Sequence, residues 1–376
     1  MASLDRAFRS LFETNMGIRP GERVLVFSDT IRPDESPSDA DRDRRGRLNA
    51  TARLTAQFAS AAYASGAFVE FPATLASGAE PPVALWLATF GPDTVSKLEA
   101  AGLLAKLLAK QAAVNEIAAA RTIVLAHKDA VADVIIAMAN NSTSHTRYRA
   151  LACAAGARFA SLPHFDPDMF HSAMTVDWAA LARRTAALVA AVNAAEWLHV
   201  TCPNGTDMHI CKQGRHAGGD DGLLTLAGSF GNLPAGEAYL APLEGQSHGR
   251  MVIEWGPTRK LDEPLTLIVE KGEVVRIEGN DPHRAKLEAK FSEDANCRNI
   301  AELGIGTNDK ATRPDNVLEA EKIMGTIHIA LGDNSGFGGR VSAPFHEDYV
   351  FYRPTLTAIL ADGSEQVIID DGRLLP

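Results

Sequence analysis

Arg23-Val24-Leu25-Val26-Phe27-Ser28 follows the turn residues Pro20-Gly21 and forms an apolar run too short for a helix, so it reads as a buried strand. Strand and helix signals then alternate. The Ala-rich stretch Ala50 to Ser65 reads as a helix closing at Gly66, and Phe68 to Phe71 is the next strand candidate. Thr122 to Ala126 (TIVLA) and Asp133 to Ala137 (DVIIA) are further short apolar runs. His145 to Ala155 reads as a helix stopped by Gly156, ahead of a strand at Arg158 to Leu162. Repeated β-α-β predicts an α/β domain with a mostly parallel sheet covered by helices. Ile31 to Leu48 (IRPDESPSDADRDRRGRL), with five acids, five arginines and two prolines, reads as a long polar insertion: a solvated loop, or a lid over a site.

Thr175 to Ala195 is an amphipathic helix pattern that bridges to the second half, with Trp178, Leu181, Leu188 and Val192 on one face and Thr185 the polar residue among them. From Glu196 the pattern changes. Glu196 to Thr201, Gly236 to Ala241, Arg250 to Trp255, Leu265 to Val269 and Glu273 to Ile277 are short runs separated by turn residues, which predicts an antiparallel, β-rich domain. A helix at Asn316 to Met324, a strand at Thr326 to Leu331 and a hairpin of Pro354–Leu360 with Gln366–Asp370 around Asp362-Gly363 complete it. The expected division is therefore 1–190, an α/β domain, and 191–376, a β-rich α+β domain.

Composition narrows the partners. The 376 residues carry 37 Lys+Arg against 47 Asp+Glu, a net charge of −10, so no global positive field exists to hold nucleic acid or an anionic membrane. No window is long and apolar enough to span a bilayer and the first residues lack an apolar leader core, so a cytoplasmic protein is expected, in which the acceptor patterns at Asn140 and Asn141 meet no glycosylation. Cys153, Cys202, Cys211 and Cys297 are too few and scattered for a disulfide framework and read as free thiols. No G-K-[ST] follows the glycines of Gly228 to Gly236 and no G-x-G-x-x-G follows the first strand, so no nucleotide cofactor is expected.

The chemistry concentrates in the second half. In Pro344-Phe345-His346-Glu347-Asp348-Tyr349-Val350, a strand puts His346 and Asp348 on one face, offering an imidazole and a carboxylate to one ion. His328 sits in the apolar strand GTIHIALG, where its ring nitrogens need partners, either within the core or on a metal. Glu237 and Glu302 are lone acids flanked by apolar residues and glycines, an awkward setting unless a cation neutralises them. Asp207, Asp220 and Asp221 read as turn acids, and His209 and His216 as surface groups that could line a cleft.

The segments NLPAGEAYLAPLEG (Asn232 to Gly245), AELGIGTN (Ala301 to Asn308), HIALGDN (His328 to Asn334) and FHEDYV (Phe345 to Val350) resemble, in this order, the motifs of the thermophilic metalloprotease family, the aminopeptidase T type. That resemblance implies an α/β N-terminal domain, a metal-bearing C-terminal domain, a homodimer and a pair of Zn or Co ions, with Glu237, Glu302, His328, His346 and Asp348 as ligands. The family's tyrosine ligand has no counterpart: Ser335 stands in the matching place, and Tyr349 and Tyr352 lie elsewhere. A metal-activated water would then attack the first peptide bond of a small peptide, with no general base assigned beyond the candidates Glu254 and Asp333. The same family resembles the 2,5-dihydroxypyridine 5,6-dioxygenases, and His328, His346 and Asp348 alone would make the two-His, one-carboxylate set of a mononuclear Fe(II) site acting on a hydroxylated pyridine-type aromatic. A non-catalytic binding protein is the third expectation.

Overall fold

The computed structural model describes residues 2–257 and 259–375 and separates the chain into two compact units, Met1–Thr175 with Gly222–Pro234, and Val176–Asp221 with Ala235–Pro376. The first holds a five-stranded, all-parallel sheet in the order Ala67–Pro72, Val24–Thr30, Val134–Ala137, Arg158–Ser161, Phe230–Asn232. This is the 2-1-3-4-5 order of an open doubly wound sheet, as the alternation of strand and helix predicts. Leu25, Phe27, Ile135 and Phe159 pack on Trp86, Phe90 and Tyr148, whose hydroxyl meets Thr89 Oγ1 at 2.6 Å.

Two local expectations are overturned here. Thr122 to Ala126 is the end of the helix Val114–Ala126, not a strand, since a short apolar run carries no period of its own and the preceding Asn-Glu-Ile-Ala-Ala-Ala continues it as helix. Most of the polar insertion is also helix. Ser38 caps the 25-residue helix Asp39–Tyr63 by accepting from the Asp41 N–H, and the dense charges are matched at helical spacing. Arg47 pairs with Asp43 and Arg44 with Asp41 at that spacing, while buried Arg45 reaches back to Glu35, ahead of the helix, at 2.5 Å. The chain leaves that helix through Ala64, in the left-handed region. Gly66 is needed for a different reason: a Cβ there would lie 2.2 Å from the Ala56 carbonyl oxygen.

In the second unit all strand pairs are antiparallel. One sheet of eight runs Glu273–Glu278, Lys260–Glu270, His248–Trp255, Asp207–Cys211, Ala195–Thr201, Thr355–Leu360, Glu365–Asp370, Arg373–Leu374; one of five runs His346–Phe351, Ile327–Gly332, Ile300–Gly306, Glu237–Leu240, Gly218–Asp220. Leu198, Val200, Met208, Ile210, Met251 and Ile253 from the first share one core with Leu240, Leu303, Ile305, Ile327, Ile329 and Phe351 from the second. The helix Trp178–Ala194 joins this unit because Leu188 and Val192 enter the same core, and its polar Thr185 finds Thr307 Oγ1 at 2.8 Å. The helix expected over Asn316 to Met324 shrinks to Val317–Ala320, and the chain then turns to bring Glu321 and Lys322 inward. No helix among the described residues is long and apolar enough to cross a membrane.

Candidate metal centre

Alternation along the five-stranded sheet builds the site. Leu240, Leu303, Ile305, Ile327, Ile329, Leu331, Tyr349 and Phe351 face the shared core, so their neighbours Glu237, Tyr239, Glu302, His328, His346 and Asp348 face the other way. A bulge between Ile300 and Glu302 makes this possible, since it lets Ile300 enter the core while Glu302 turns out of it. Small residues separate the functional ones: Gly304 lies opposite both Tyr239 and His328, Ala330 between Glu302 and Asp348, Gly306 opposite Glu237, and Gly332 opposite His346. The spacing is obligatory at Gly304, where a Cβ would stand 2.0 Å from His328 Nε2.

All five residues expected from the sequence therefore converge. His346 Nε2 lies 3.4 Å from Glu302 Oε2 and 3.6 Å from Asp348 Oδ2, while His328 Nε2 lies 3.6 Å from Glu302 Oε1 and 3.3 Å from Glu237 Oε2. Ligands about 2.1 Å from one ion stand about 3.0–3.5 Å from each other, so these separations fit a metal without rebuilding the site. Two donor groups emerge, Glu302–His346–Asp348 and Glu237–Glu321–His328, and Glu302 bridges them. The set His328, His346 and Asp348 is not itself the compact one; Glu302 stands between the two rings. His346 Nδ1 donates to the Asp333 carbonyl at 2.7 Å, which turns the Nε2 lone pair toward the carboxylates. Glu237 Oε2, His328 Nδ1 and Asp348 Oδ1 are buried with no hydrogen bond of their own, a deficit that a bound cation would reduce.

Three members of the cluster escaped the sequence reading. Lys322, 1% exposed, places Nζ 2.6 Å from Glu237 Oε1 and 3.1 Å from Glu321 Oε2. Burial would lower the Lys322 pKa, but Glu237 and Glu321 raise it further, so the ammonium stays charged. Burial pushes the Glu321 carboxyl up to about 7, with Asp348 and Glu237 adding to it and Lys322 and His328 opposing. Tyr239, two residues from Glu237 and so on its face of the strand, has its phenol raised by burial and then by Glu237, Asp220 and Glu302. That spacing was a usable signal for Tyr239; Glu321 and Lys322 sit in an irregular turn that no periodicity marks. Burial would lower the His328 pKa and raise that of Glu302, yet each prevails on the other: His328 rises to about 9, and Glu302, beside His328 and His346, is held well below the carboxylate range.

Of the other expected residues, Asp333 touches the cluster through its carbonyl on His346 and Asp220 lies opposite Glu237, while Ser335, Glu254 and Tyr349 lie apart. Ser335 Oγ donates to the Asp333 carboxylate, which also accepts from the Ala343 N–H, so Asp333 is structural through both its side chain and its carbonyl. Glu254 belongs to the eight-stranded sheet and accepts from Asn204 Nδ2. Tyr349 donates its hydroxyl proton to Glu347 and accepts from His283 Nε2 at 3.0 Å. The four cysteines are unpaired, and burial pushes Cys153 up to about 11 and Cys202 to about 12, which leaves little thiolate.

A cage of carboxylates and imidazoles, buried around His328 and open to solvent at His346, on an otherwise apolar sheet is what metal-dependent enzymes keep. The sequence model of the NicX family, described as 2,5-dihydroxypyridine 5,6-dioxygenase, matches residues 95–376, and the chain belongs to that family. Among solved structures, the 2,5-dihydroxypyridine dioxygenase from Pseudomonas putida KT2440 is similar at 19% identity and a TM-score of 0.69, over 100% of this chain and 97% of that one. AmpT from Thermus thermophilus is similar at 14% identity and a TM-score of 0.60, over 100% and 99%. No curated protein matches the sequence. Both families read from the motifs thus return, the structures as likeness of fold and the dioxygenase also as family.

Proposed function

We propose that this chain is a mononuclear Fe(II) dioxygenase that opens the ring of a hydroxylated pyridine-type aromatic, with Glu302, His346 and Asp348 as the principal ligands and His328 beside them. The observation that carries the reading is Lys322. Its ammonium occupies the pocket between Glu237 and Glu321, the donor group where a two-metal hydrolase would need its second ion. Four acids, Glu237, Glu302, Glu321 and Asp348, face one lysine, so a single divalent ion with neutral imidazoles brings the cage near charge balance. Family membership supports the same reaction class.

When bound, a ferrous ion supplies the redox chemistry that lets dioxygen react with an electron-rich ring. The chain's own residues set up that reaction. Asp333 fixes the His346 tautomer through its carbonyl, and Gly304 leaves the His328 ring its place. Glu321, whose carboxyl sits near 7, can as a carboxylate take a proton from a ring hydroxyl and become the neutral acid, and Lys322 beside it stabilises the phenolate that this leaves. The aminopeptidase reading draws on one specific observation, the convergence of Glu237 with the other four expected ligands, and it requires Lys322 to leave.

The test is oxygen consumption by iron-loaded protein offered 2,5-dihydroxypyridine. The reading expects uptake of one O2 per ring lost, abolished in D348N. No uptake with iron, together with hydrolysis of leucinamide after zinc or cobalt loading, overturns it.

A further inference from the structure

We propose that His199, Asp207 and His209, with His248 alongside, form a second cation site for a divalent ion of the zinc type on the outer face of the eight-stranded sheet. The three imidazoles come from adjacent strands in register: His199 is opposite His209, and His209 opposite His248. Their rings stack at 4.1 Å and 5.0 Å with planes within 7° and 11° of parallel. Leu198, Val200, Met208 and Ile210 fill the core from the same strands, so the alternate residues His199, Asp207 and His209 face away from it. The candidate metal centre lies on the other sheet, also on the side away from the shared core, so the two sites use different donors on different faces.

Donor geometry points to a cation rather than to an ornamental stack. One ligand atom each from His199, Asp207 and His209 lies within 4.8 Å of the other two. His199 Nε2 already shares a proton with Asp207 Oδ1 at 2.8 Å, and His209 Nε2 is 4.0 Å from the same oxygen. An ion entering there displaces that proton and accepts a lone pair from each ring. The rings must turn out of their parallel stack for the in-plane lone pairs to converge on one ion, a χ2 rotation for which their partial exposure leaves room. His248 Nδ1 is tied to the Gln246 carbonyl at 3.3 Å, leaving Nε2 as the lone-pair nitrogen. Asp207, His209 and His248 also line a depression of about 410 Å³, so the ion has access from solvent. Arg250 on its rim is anchored through Nε to the Gly205 carbonyl at 2.8 Å. Gly249 keeps the strands close: a Cβ there would meet the Asp207 carbonyl at 2.1 Å. Imidazole-rich donors with one carboxylate suit Zn(II), Ni(II) or Cu(II) over magnesium or calcium.

Zinc calorimetry on the full-length H346A/D348A variant, in which Lys322 still closes the Glu237–Glu321–His328 group, reads the stripe. The expected result is one ion per chain, lost or weakened at least tenfold in the same protein carrying H199A/H209A. Should H346A/D348A fail to fold, zinc is counted in the wild type and in H199A/H209A by elemental analysis after gel filtration, and the double variant should hold one ion fewer while oxygen consumption with 2,5-dihydroxypyridine is unchanged. Equal zinc content and affinity with and without His199 and His209 overturns the proposal.

Discussion

Gly304→Ala adds one methyl group at the point where the cage is tightest. The new Cβ would stand 2.0 Å from His328 Nε2 and 2.1 Å from Cε1, against an ordinary contact of 3.4 Å, so the ring must withdraw by about 1.4 Å. Withdrawal separates Nε2 from Glu237, now 3.3 Å away, and from Glu302, now 3.6 Å away. Stranding a buried imidazole costs about 1–3 kcal/mol, and forcing a methyl into a filled site costs about as much again. A loss of about 3 kcal/mol in a unit of this size lowers the melting temperature by about 6–12 °C. Displacement of a donor by about 1 Å also lowers turnover about a hundredfold. Gly46→Ala is the control, because Gly46 is exposed in the helix Asp39–Tyr63 and a Cβ there meets nothing within 4 Å. That change should stabilise by about 1 kcal/mol. Thermal melts and oxygen uptake on the two variants read both effects, and a G304A protein that melts and turns over like the wild type would refute the packing argument.

Metal-free protein should lose stability as pH rises from about 4.5 to 9, through Glu321 over about 4.5–7 and His328 over about 6.5–9. The folded pKa of His328 is raised to about 9 and that of Glu321 to about 7, so each contributes stability at low pH that disappears as it deprotonates; denaturant melts across this range test it, and a flat profile contradicts it. Loading the ion displaces protons from His328 and His346, also raised well above its usual value, so calorimetry at pH 7 in buffers of different ionisation enthalpy should register proton release. Lys322→Met leaves Glu321 without its cation and Glu237 with His328 alone in a buried pocket, and should destabilise the metal-free protein by about 3–5 kcal/mol in urea melts, while allowing a second cobalt ion to bind. Thr185→Val strands the buried Thr307 hydroxyl, for an expected loss of about 1–3 kcal/mol by the same assay.

Residues on regular strands were the ones legible beforehand. Glu237, Glu302, His328, His346 and Asp348 each interrupt an apolar or glycine-flanked run, and a polar group in such a run must face something other than the core. The parallel sheet was legible for the same reason, since strands buried on both faces are continuously apolar. Lys322 and Glu321 were not, because an irregular turn has no period and only the fold brings them beneath Glu237. The charge-rich start of the helix at Asp39 misled for the opposite reason: its composition suits a loop, while its spacing pairs Arg47 with Asp43 and Arg44 with Asp41. His199, His209 and His248 look unrelated along the chain and become neighbours only through strand register.

The most direct test of the mononuclear account is a crystal structure of the iron-loaded protein with anomalous data at the iron edge. The account predicts one peak within the five-stranded sheet's cage, on Glu302, His346 and Asp348, with Lys322 Nζ still against Glu237. Two peaks about 3.5–4 Å apart, with Lys322 turned out of the pocket, would contradict it and return the chain to the two-metal hydrolases.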